Sequence, residues 1–173
     1  VDSSPAVVDG VVYIGSYDGN VYALNASTGT VAFDEFSSAV IWSYKTGDMV
    51  MLSSPAVANG VVYVGSYDFN VYALNASTGA RIWNYTTGFA VVSSPAVIGD
   101  VVYVGSEDHQ VYALNATTGT LIWNYTMGDQ IQLSSLAVTD GIVYVGSIDH
   151  NIYALNATTG TYIWSYTTGD VVI

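Results

Sequence analysis

The feature that most constrains this chain is a repeat of about 40 residues that occurs four times. Its opening Ser-Ser-Pro-Ala-Val segment starts at Ser3, Ser53 and Ser93, and recurs as Ser-Ser-Leu-Ala-Val at Ser134. The starts are 50, 40 and 41 residues apart, because the first unit carries an insertion at about residues 31–40. Repeats of this length are supersecondary units that bury their apolar faces against one another. The sequence predicts one domain, 1–173, made of units at about 1–47, 48–88, 89–128 and 129–173.

Each unit contains four short apolar segments separated by turns. The first turn is a pair of residues that tolerate the positive φ angles of a tight hairpin: Asp9-Gly10, Asn59-Gly60, Gly99-Asp100 and Asp140-Gly141. The second turn contains an aspartate in every unit: Asp18, Asp68, Asp108 and Asp149. No segment shows a 3.6-residue period, so we expect four antiparallel strands per unit and no helix.

The apolar pattern of the second strands favours a β-propeller over other all-β folds. A sandwich strand has one face in water and alternates polar with apolar residues. Segments such as Val61-Val62-Tyr63-Val64 are apolar at consecutive positions, so both faces of the sheet must be covered. A parallel β-solenoid also covers both faces, but it does not use a tight hairpin in every unit. We therefore predict four propeller blades, each stacked between neighbours.

The turn before the fourth strand carries a recognisable motif. The segment from Ala113 to Trp123, Ala-Leu-Asn-Ala-Thr-Thr-Gly-Thr-Leu-Ile-Trp, recurs in all four units. It resembles the tryptophan-docking motif of the PQQ (quinoprotein) repeat family, with Asn where that family usually has Asp. The resemblance implies that each indole packs on a glycine of the adjacent blade and donates its N–H to a carbonyl: Trp42, Trp83, Trp123 and Trp164, with Gly29, Gly79, Gly119 and Gly160.

Charge and composition exclude several classes of partner. Lys45 and Arg81 are the only strong cations against 14 carboxylates, and the net charge is −12. Such a surface repels nucleic acid and anionic lipid headgroups. The apolar runs are short and interrupted by Gly and Ser, so no membrane insertion is expected.

The same resemblance raises the question of a quinone cofactor. Enzymes of the family resemble one another in a vicinal disulfide, Ca²⁺-binding carboxylates and basic residues around the quinone. This chain has no cysteine and one arginine, which precedes Trp83 by two residues on the predicted outer strand. We therefore predict no cofactor, no metal and no catalytic residue, as in the non-catalytic scaffolds of the family.

The tips of the second turns differ between units, which makes them a candidate binding face. The residues beside the aspartates are Tyr17, Tyr67, Phe69, Glu107, His109, Ile148 and His150, with Gly19 in the first unit. Glu107-Asp108-His109 could form an acid–base pair or a metal site, but a turn-capping aspartate followed by a freely varying position also explains the pattern. The links Met49-Val50-Met51, Phe89-Ala90-Val91 and Gln130-Ile131-Gln132 either belong to this face or begin the innermost strands.

Sequons suggest where the protein is located. Six are present, and four of them coincide with the docking-motif turns, whose chemistry explains them without glycans. Asn84 and Asn124 lie on predicted outer strands and are candidate glycosylation sites. With few lysines and many Thr, Asn and Tyr residues, the composition favours an extracellular, cell-surface or periplasmic protein.

Two hypotheses of function follow. One is a scaffold that binds protein or glycan, or that self-assembles; the other is a fragment of a PQQ-dependent oxidoreductase whose cofactor residues lie outside this chain. Four blades do not fill a closed ring, so we expect a second copy or further blades to cover the end faces. The run Gly169–Ile173 stops where another Ser-Ser-Pro would begin, and Val1–Ser3 resumes the repeat almost in register.

Overall fold

A computed structural model describes residues 3–27, 39–132 and 134–173 of the chain. These residues form four antiparallel sheets of four strands each. The first blade contains β1 (Ala6–Val8), β2 (Val11–Gly15), β3 (Asn20–Asn25) and β4 (Val40–Lys45). The second contains β5 (Ala56–Ala58), β6 (Val61–Gly65), β7 (Asn70–Asn75) and β8 (Arg81–Thr86). The third contains β9 (Ala96–Ile98), β10 (Val101–Gly105), β11 (Gln110–Asn115) and β12 (Leu121–Thr126). The fourth contains β13 (Ala137–Thr139), β14 (Ile142–Gly146), β15 (Asn151–Asn156) and β16 (Tyr162–Thr167).

The prediction of an all-β propeller is confirmed. Strands follow one another in sequence order across each sheet, and every hydrogen-bonded pair is antiparallel. The described residues contain no helix, so none of them forms a helix that could cross a membrane. Residues 31–38 of the predicted insertion lie outside the described residues, and so does Gly29, whereas Val40 begins β4.

The two residues at the first turn of each blade determine the type of that turn. Asp9-Gly10, Asn59-Gly60 and Asp140-Gly141 have positive φ at both residues, which is the type I′ arrangement. In Gly99-Asp100 only the glycine has a positive φ, as a type II′ turn requires. The reversed order of the two residues therefore changes the turn type but keeps the two-residue hairpin.

The core consists of three apolar layers, one between each pair of consecutive blades. In the layer between the second and third blades, Tyr63, Val71 and Trp83 pack against Val102 and Leu114 of the next sheet. The other two layers use the equivalent residues. Both faces of a middle blade are therefore buried, which explains the continuous apolar runs in its second and third strands.

Three of the four motif tryptophans contact the next blade. The Trp83 indole lies on Gly119, and its Nε1 donates to the carbonyl of Ala116 at 2.9 Å. Gly119 has a φ of +72°, and a Cβ there would lie 2.6 Å from the indole ring. Trp42 lies in the same way on Gly79, and Trp123 on Gly160.

Trp164 differs from these three. No fifth blade follows it among the described residues, and its side chain is 41% exposed, whereas the other three are 8% exposed. Among the described residues no adjacent blade lies against Trp164, so the docking of this fourth indole stays a prediction.

Candidate functional site

The second turns and the links between blades lie on the same side of the molecule, which we call the loop face. Backbone hydrogen bonds join each turn to the link from the preceding blade. Tyr67 N donates to Met49 O at 2.9 Å, and Glu107 N donates to Ala90 O at 3.0 Å. Ile148 N donates to Gln130 O at 3.1 Å. The variable tips and the links thus form one continuous surface.

A repeated aspartate supports each tip. Asp68 Oδ1 accepts from Asn70 N at 3.0 Å, and its Oδ2 accepts from Tyr72 OH and Gly47 N, both at 2.6 Å. Asp108 makes the same three contacts in the third blade, to Gln110, Tyr112 and Gly88. These carboxylates cap the turn and fix the preceding link, which is the structural role that their repetition indicates.

The aspartates also perturb their tyrosine partners. Burial, together with the hydrogen bond to Asp149, raises the pKa of Tyr153 to about 12. Burial and the corresponding aspartate raise the pKa of Tyr72 and of Tyr112 further. The tyrosine hydroxyls therefore remain protonated donors at any physiological pH.

The position after each aspartate varies in residue type but has the same backbone conformation in all four units. Gly19, Phe69, His109 and His150 all have a φ between 71° and 77°. Glycine adopts this left-handed conformation without strain, whereas for a bulky side chain it is a genuine outlier. Three of the four tips thus carry a large side chain at a position that favours glycine.

The links divide into buried and surface residues. Val50, Val91 and Ile131 are fully buried and pack against the glycines that end the second strands. Phe89 is exposed, and its ring stacks on Phe69 with 5.1 Å between centroids and 17° between planes. The innermost strands begin later, at Ala56, Ala96 and Ala137. Val50, Val91 and Ile131 are therefore core residues, as is Ala90, and only the other link residues belong to the loop face.

The structure does not bring Glu107, Asp108 and His109 together as an acid–base group. Asp108 is held by the turn, and Glu107 accepts from Gln132 Nε2 at 2.9 Å. His109 Nε2 instead lies 3.7 Å from Asp129 Oδ1, on the link that follows the third blade. Sequence reasoning missed Asp129, because this pairing depends on the antiparallel return of β12. Among the described residues, no three His, Asp or Glu side chains are grouped as metal ligands.

The remaining tip residues surround these groups. Tyr17 is exposed, whereas Tyr67 and Ile148 are half-buried beside their links, and His150 is exposed at the fourth tip.

Carboxylates cluster on this side of the molecule: Asp18, Asp48, Asp68, Glu107, Asp108, Asp129, Asp149 and Asp170. On the opposite side, the described hairpin turns carry Asp9, Asp100 and Asp140. The loop face is therefore an acidic surface with an exposed pair of aromatic rings.

The outer strands present the two candidate glycosylation sites. Asn84 and Asn124 are exposed, and their amide nitrogens donate to Asn70 and Gln110 on the neighbouring strand. Asn75, Asn115 and Asn156, by contrast, use their side-chain oxygens to accept from backbone N–H groups of the docking turn. Asn25 does the same in the first blade.

Several solved structures share this fold. BamB from Moraxella catarrhalis is 21% identical, with a TM-score of 0.76 over 95% of this chain and 48% of its own. The quinohemoprotein alcohol dehydrogenase ADHIIG from Pseudomonas putida HK5 is 24% identical, with a TM-score of 0.78 over 98% of this chain and 34% of its own. The computationally designed protein Ika8 is 18% identical, with a TM-score of 0.78 over 98% of this chain and 50% of its own. The chain thus spans half or less of each of these proteins.

Sequence comparison assigns the family. No curated protein matches the sequence. Residues 29–171, which include most of the four repeats, match the PQQ_2 family, whose description is outer membrane protein assembly factor BamB. The match covers more than half of the chain and confirms the resemblance to PQQ-type repeats. The chain therefore belongs to the PQQ_2 family of β-propeller repeat proteins.

Proposed function

We propose that this chain is a non-catalytic binding module of the cell envelope, and that it holds a protein or glycan partner on its loop face. The observation that carries the proposal is Phe69, which has a φ of +72° where the first blade has Gly19. A left-handed conformation costs a non-glycine residue about 1–2 kcal/mol. Such strain is retained chiefly at functional sites, where the side chain itself is needed.

The surroundings of Phe69 suit a binding role. Its stacked partner Phe89 is 47% exposed, and Phe69 itself is 38% exposed. Exposed aromatic rings are enriched in protein interfaces, and flat rings also stack on sugars. The carboxylates around the pair favour a partner segment that carries positive charge.

The location in the envelope rests on two further observations. The family's description refers to outer membrane protein assembly, a process of the envelope. The sequons at Asn84 and Asn124 lie on exposed outer strands, where a glycan could be attached without disturbing the core. Both observations favour an extracellular or periplasmic protein.

The second candidate function is part of a PQQ-dependent oxidoreductase. The likeness of fold to a quinohemoprotein alcohol dehydrogenase favours it, since 98% of this chain superposes on that enzyme. The candidate requires cofactor residues from outside the chain, because the sequence contains no cysteine and only one arginine. Saturable binding of PQQ by the 173-residue chain would favour this second function.

Photocrosslinking tests the proposed binding face. p-Benzoylphenylalanine is placed at Phe69 and, as a matched control, at Asn59, an exposed left-handed turn residue on the opposite side. Each variant is irradiated with an envelope extract of the source organism, and adducts are identified by mass spectrometry as peptide or glycan. We expect a specific adduct from position 69 and none from position 59. No adduct at position 69, or equal labelling at both positions, contradicts the proposal.

A further inference from the structure

The three contacts between consecutive blades are copies of one interface. One side of each contact, which we call the donor face, contributes a Tyr, a Trp and small apolar residues, as in Tyr63, Ala73 and Trp83. The other side, the acceptor face, contributes apolar side chains and a carbonyl, as in Leu114 and Ala116. Each blade has one face of each kind, so the contact runs from head to tail.

The donor face of the fourth blade is uncovered. Trp164 and Tyr166 are 41% and 67% exposed, and Ile152 is half-buried where Val71 and Val111 are fully buried. The ring pair Tyr144–Trp164 has the same geometry as the internal pairs, at 5.9 Å between centroids. This face is therefore formed as in the other blades but has no partner among the described residues.

The acceptor face of the first blade is uncovered in the complementary way. Leu24, Val12 and Ile14 are half-buried, whereas their equivalents in the other three blades are almost completely buried. Val7 on the innermost strand is exposed. Both ends of the chain thus present apolar sheet faces, which soluble proteins seldom leave in contact with water.

The polar groups of the two end faces also complement each other. In the internal contacts, the Ala116 carbonyl accepts from Trp83 Nε1 and from Tyr63 OH. Among the described residues, the equivalent carbonyl of Ala26 accepts no hydrogen bond, and Trp164 Nε1 donates none. Gly88 N donates to Asp108 Oδ2 in an internal contact, whereas the equivalent Gly169 has no atom near its Cβ position. The donors at one end therefore match the acceptors at the other.

We propose that a second copy of this chain covers both end faces, so that two chains close an eight-bladed ring. The fourth blade of each copy docks on the first blade of the other, with Trp164 Nε1 on the Ala26 carbonyl and Gly169 N on Asp18. Propellers typically have about four to eight blades. Ring sizes built from whole copies of this chain are multiples of four, and the exposed end faces exclude closure by one copy. A head-to-tail contact that closes after two copies gives a two-fold ring and no filament.

The mass in solution tests the proposal first. Light scattering on the 173-residue chain at micromolar concentration should give twice 18.3 kDa. A mass of 18.3 kDa at every concentration would refute it. A mass of three or more copies, or a concentration-dependent ladder, would also refute closure by two.

A pair of variants on one strand locates the contact. Trp164→Ala removes the docking indole, which makes no contact with another blade within the chain, and we expect it to shift the protein to a monomer. Ile163→Ala is the matched control, because Ile163 is 44% exposed and its equivalents in the other blades are 46–48% exposed, so it lies outside the blade contact. The control should remain a dimer. A dimer that survives Trp164→Ala, or that is lost in Ile163→Ala, assigns the contact to another surface and overturns the proposal.

Mixing two variants tests the head-to-tail direction. Leu24→Asp places a charge on the acceptor face and should also give a monomer, with its fold checked by circular dichroism. A mixture of Trp164→Ala and Leu24→Asp chains retains one intact donor face and one intact acceptor face. We expect the mixture to form dimers although neither variant does so alone. Failure of the mixture to associate when both variants are folded contradicts a head-to-tail contact.

Discussion

At the scale of single residues, each blade contact depends on one carbonyl that receives two donors. The Ala116 carbonyl accepts from the Trp83 indole at 2.9 Å and from the Tyr63 hydroxyl at 3.2 Å. The two rings lie 5.8 Å apart and are tilted by 43°. The indole therefore contributes apolar area, a ring contact and a hydrogen bond at once, and no smaller side chain replaces all three.

Truncation of this indole should be far more damaging than truncation of a loop-face tip. Trp83→Ala is expected to lower the free energy of unfolding by about 3–5 kcal/mol, the usual range for a buried aromatic. His109→Ala is expected to lower it by less than about 0.5 kcal/mol, since the side chain is half-exposed. Urea melts of the two variants beside the parent chain measure both effects. Equal losses would show that the tip is part of the fold and not of a binding surface.

The tips show where sequence reasoning was limited. The repeated aspartates predicted capped turns, because a carboxylate at a fixed place in every unit has a local structural reason. The conformation of the following residue was not predicted, because the bulky side chain of Phe69 seldom occurs with a positive φ. A glycine at the equivalent position, Gly19, was the signal that could have revealed it.

At the scale of elements, the docking glycine connects one blade to the next. Gly119 and Gly60 both have a left-handed φ, at 72° and 74°. A Cβ on Gly119 would lie 2.6 Å from the Trp83 ring, whereas one on Gly60 would meet nothing within 4 Å. An alanine at Gly60 would therefore introduce backbone strain alone, whereas an alanine at Gly119 would introduce the same strain and also a clash with the indole of the neighbouring blade.

Alanine at these two glycines should give unequal losses of stability. Gly60→Ala is expected to lower the free energy of unfolding by about 1–2 kcal/mol, the strain of a left-handed alanine. Gly119→Ala should lower it by about 1–3 kcal/mol more, because the indole must move away from the new methyl group. Denaturant unfolding of the two variants gives the difference directly. The same loss at both positions would mean that the indole does not press on this turn.

The tyrosine–aspartate pairs make the fold sensitive to alkaline pH. The pKa of Tyr153 is raised to about 12 in the folded chain, and the pKa values of Tyr72 and Tyr112 are raised as well. In the unfolded chain these hydroxyls ionise near pH 10, about the ordinary value. The unfolded state then binds fewer protons than the folded state, so stability falls as pH rises above about 10.

Absorbance titration and unfolding measured against pH test this expectation. The stabilisation from these pairs should be fully present below pH 10 and should decline between about pH 10 and 12. Part of the tyrosine absorbance change should appear only in that alkaline range. Tyr153→Phe should show a smaller alkaline decline than the parent chain. Ionisation of all 15 tyrosines in a single step near the ordinary pKa would contradict the buried pairs.

At the scale of the whole molecule, the repeat predicted the architecture but not the contacts within the candidate site. Four blades followed from the spacing of the Ser-Ser-Pro segments and from apolar runs such as Val61–Gly65, since these features act through local hydrogen bonds and burial. The stack of Phe69 on Phe89 and the contact between His109 and Asp129 join separate turns and links. Such pairings arise because the third and fourth strands of a blade run in opposite directions and bring the link back beside the turn. No fixed spacing of residue types in the sequence marks which side chains then meet.

In the proposed function, the chain binds a partner and does not carry a quinone cofactor. Calorimetric titration of the folded 173-residue chain with PQQ in the presence of Ca²⁺ tests it most directly. We expect no saturable heat, because the chain has no disulfide to cover the quinone and only Lys45 and Arg81 to neutralise its oxygens. Saturable binding at micromolar PQQ would contradict the proposed non-catalytic function and support the oxidoreductase.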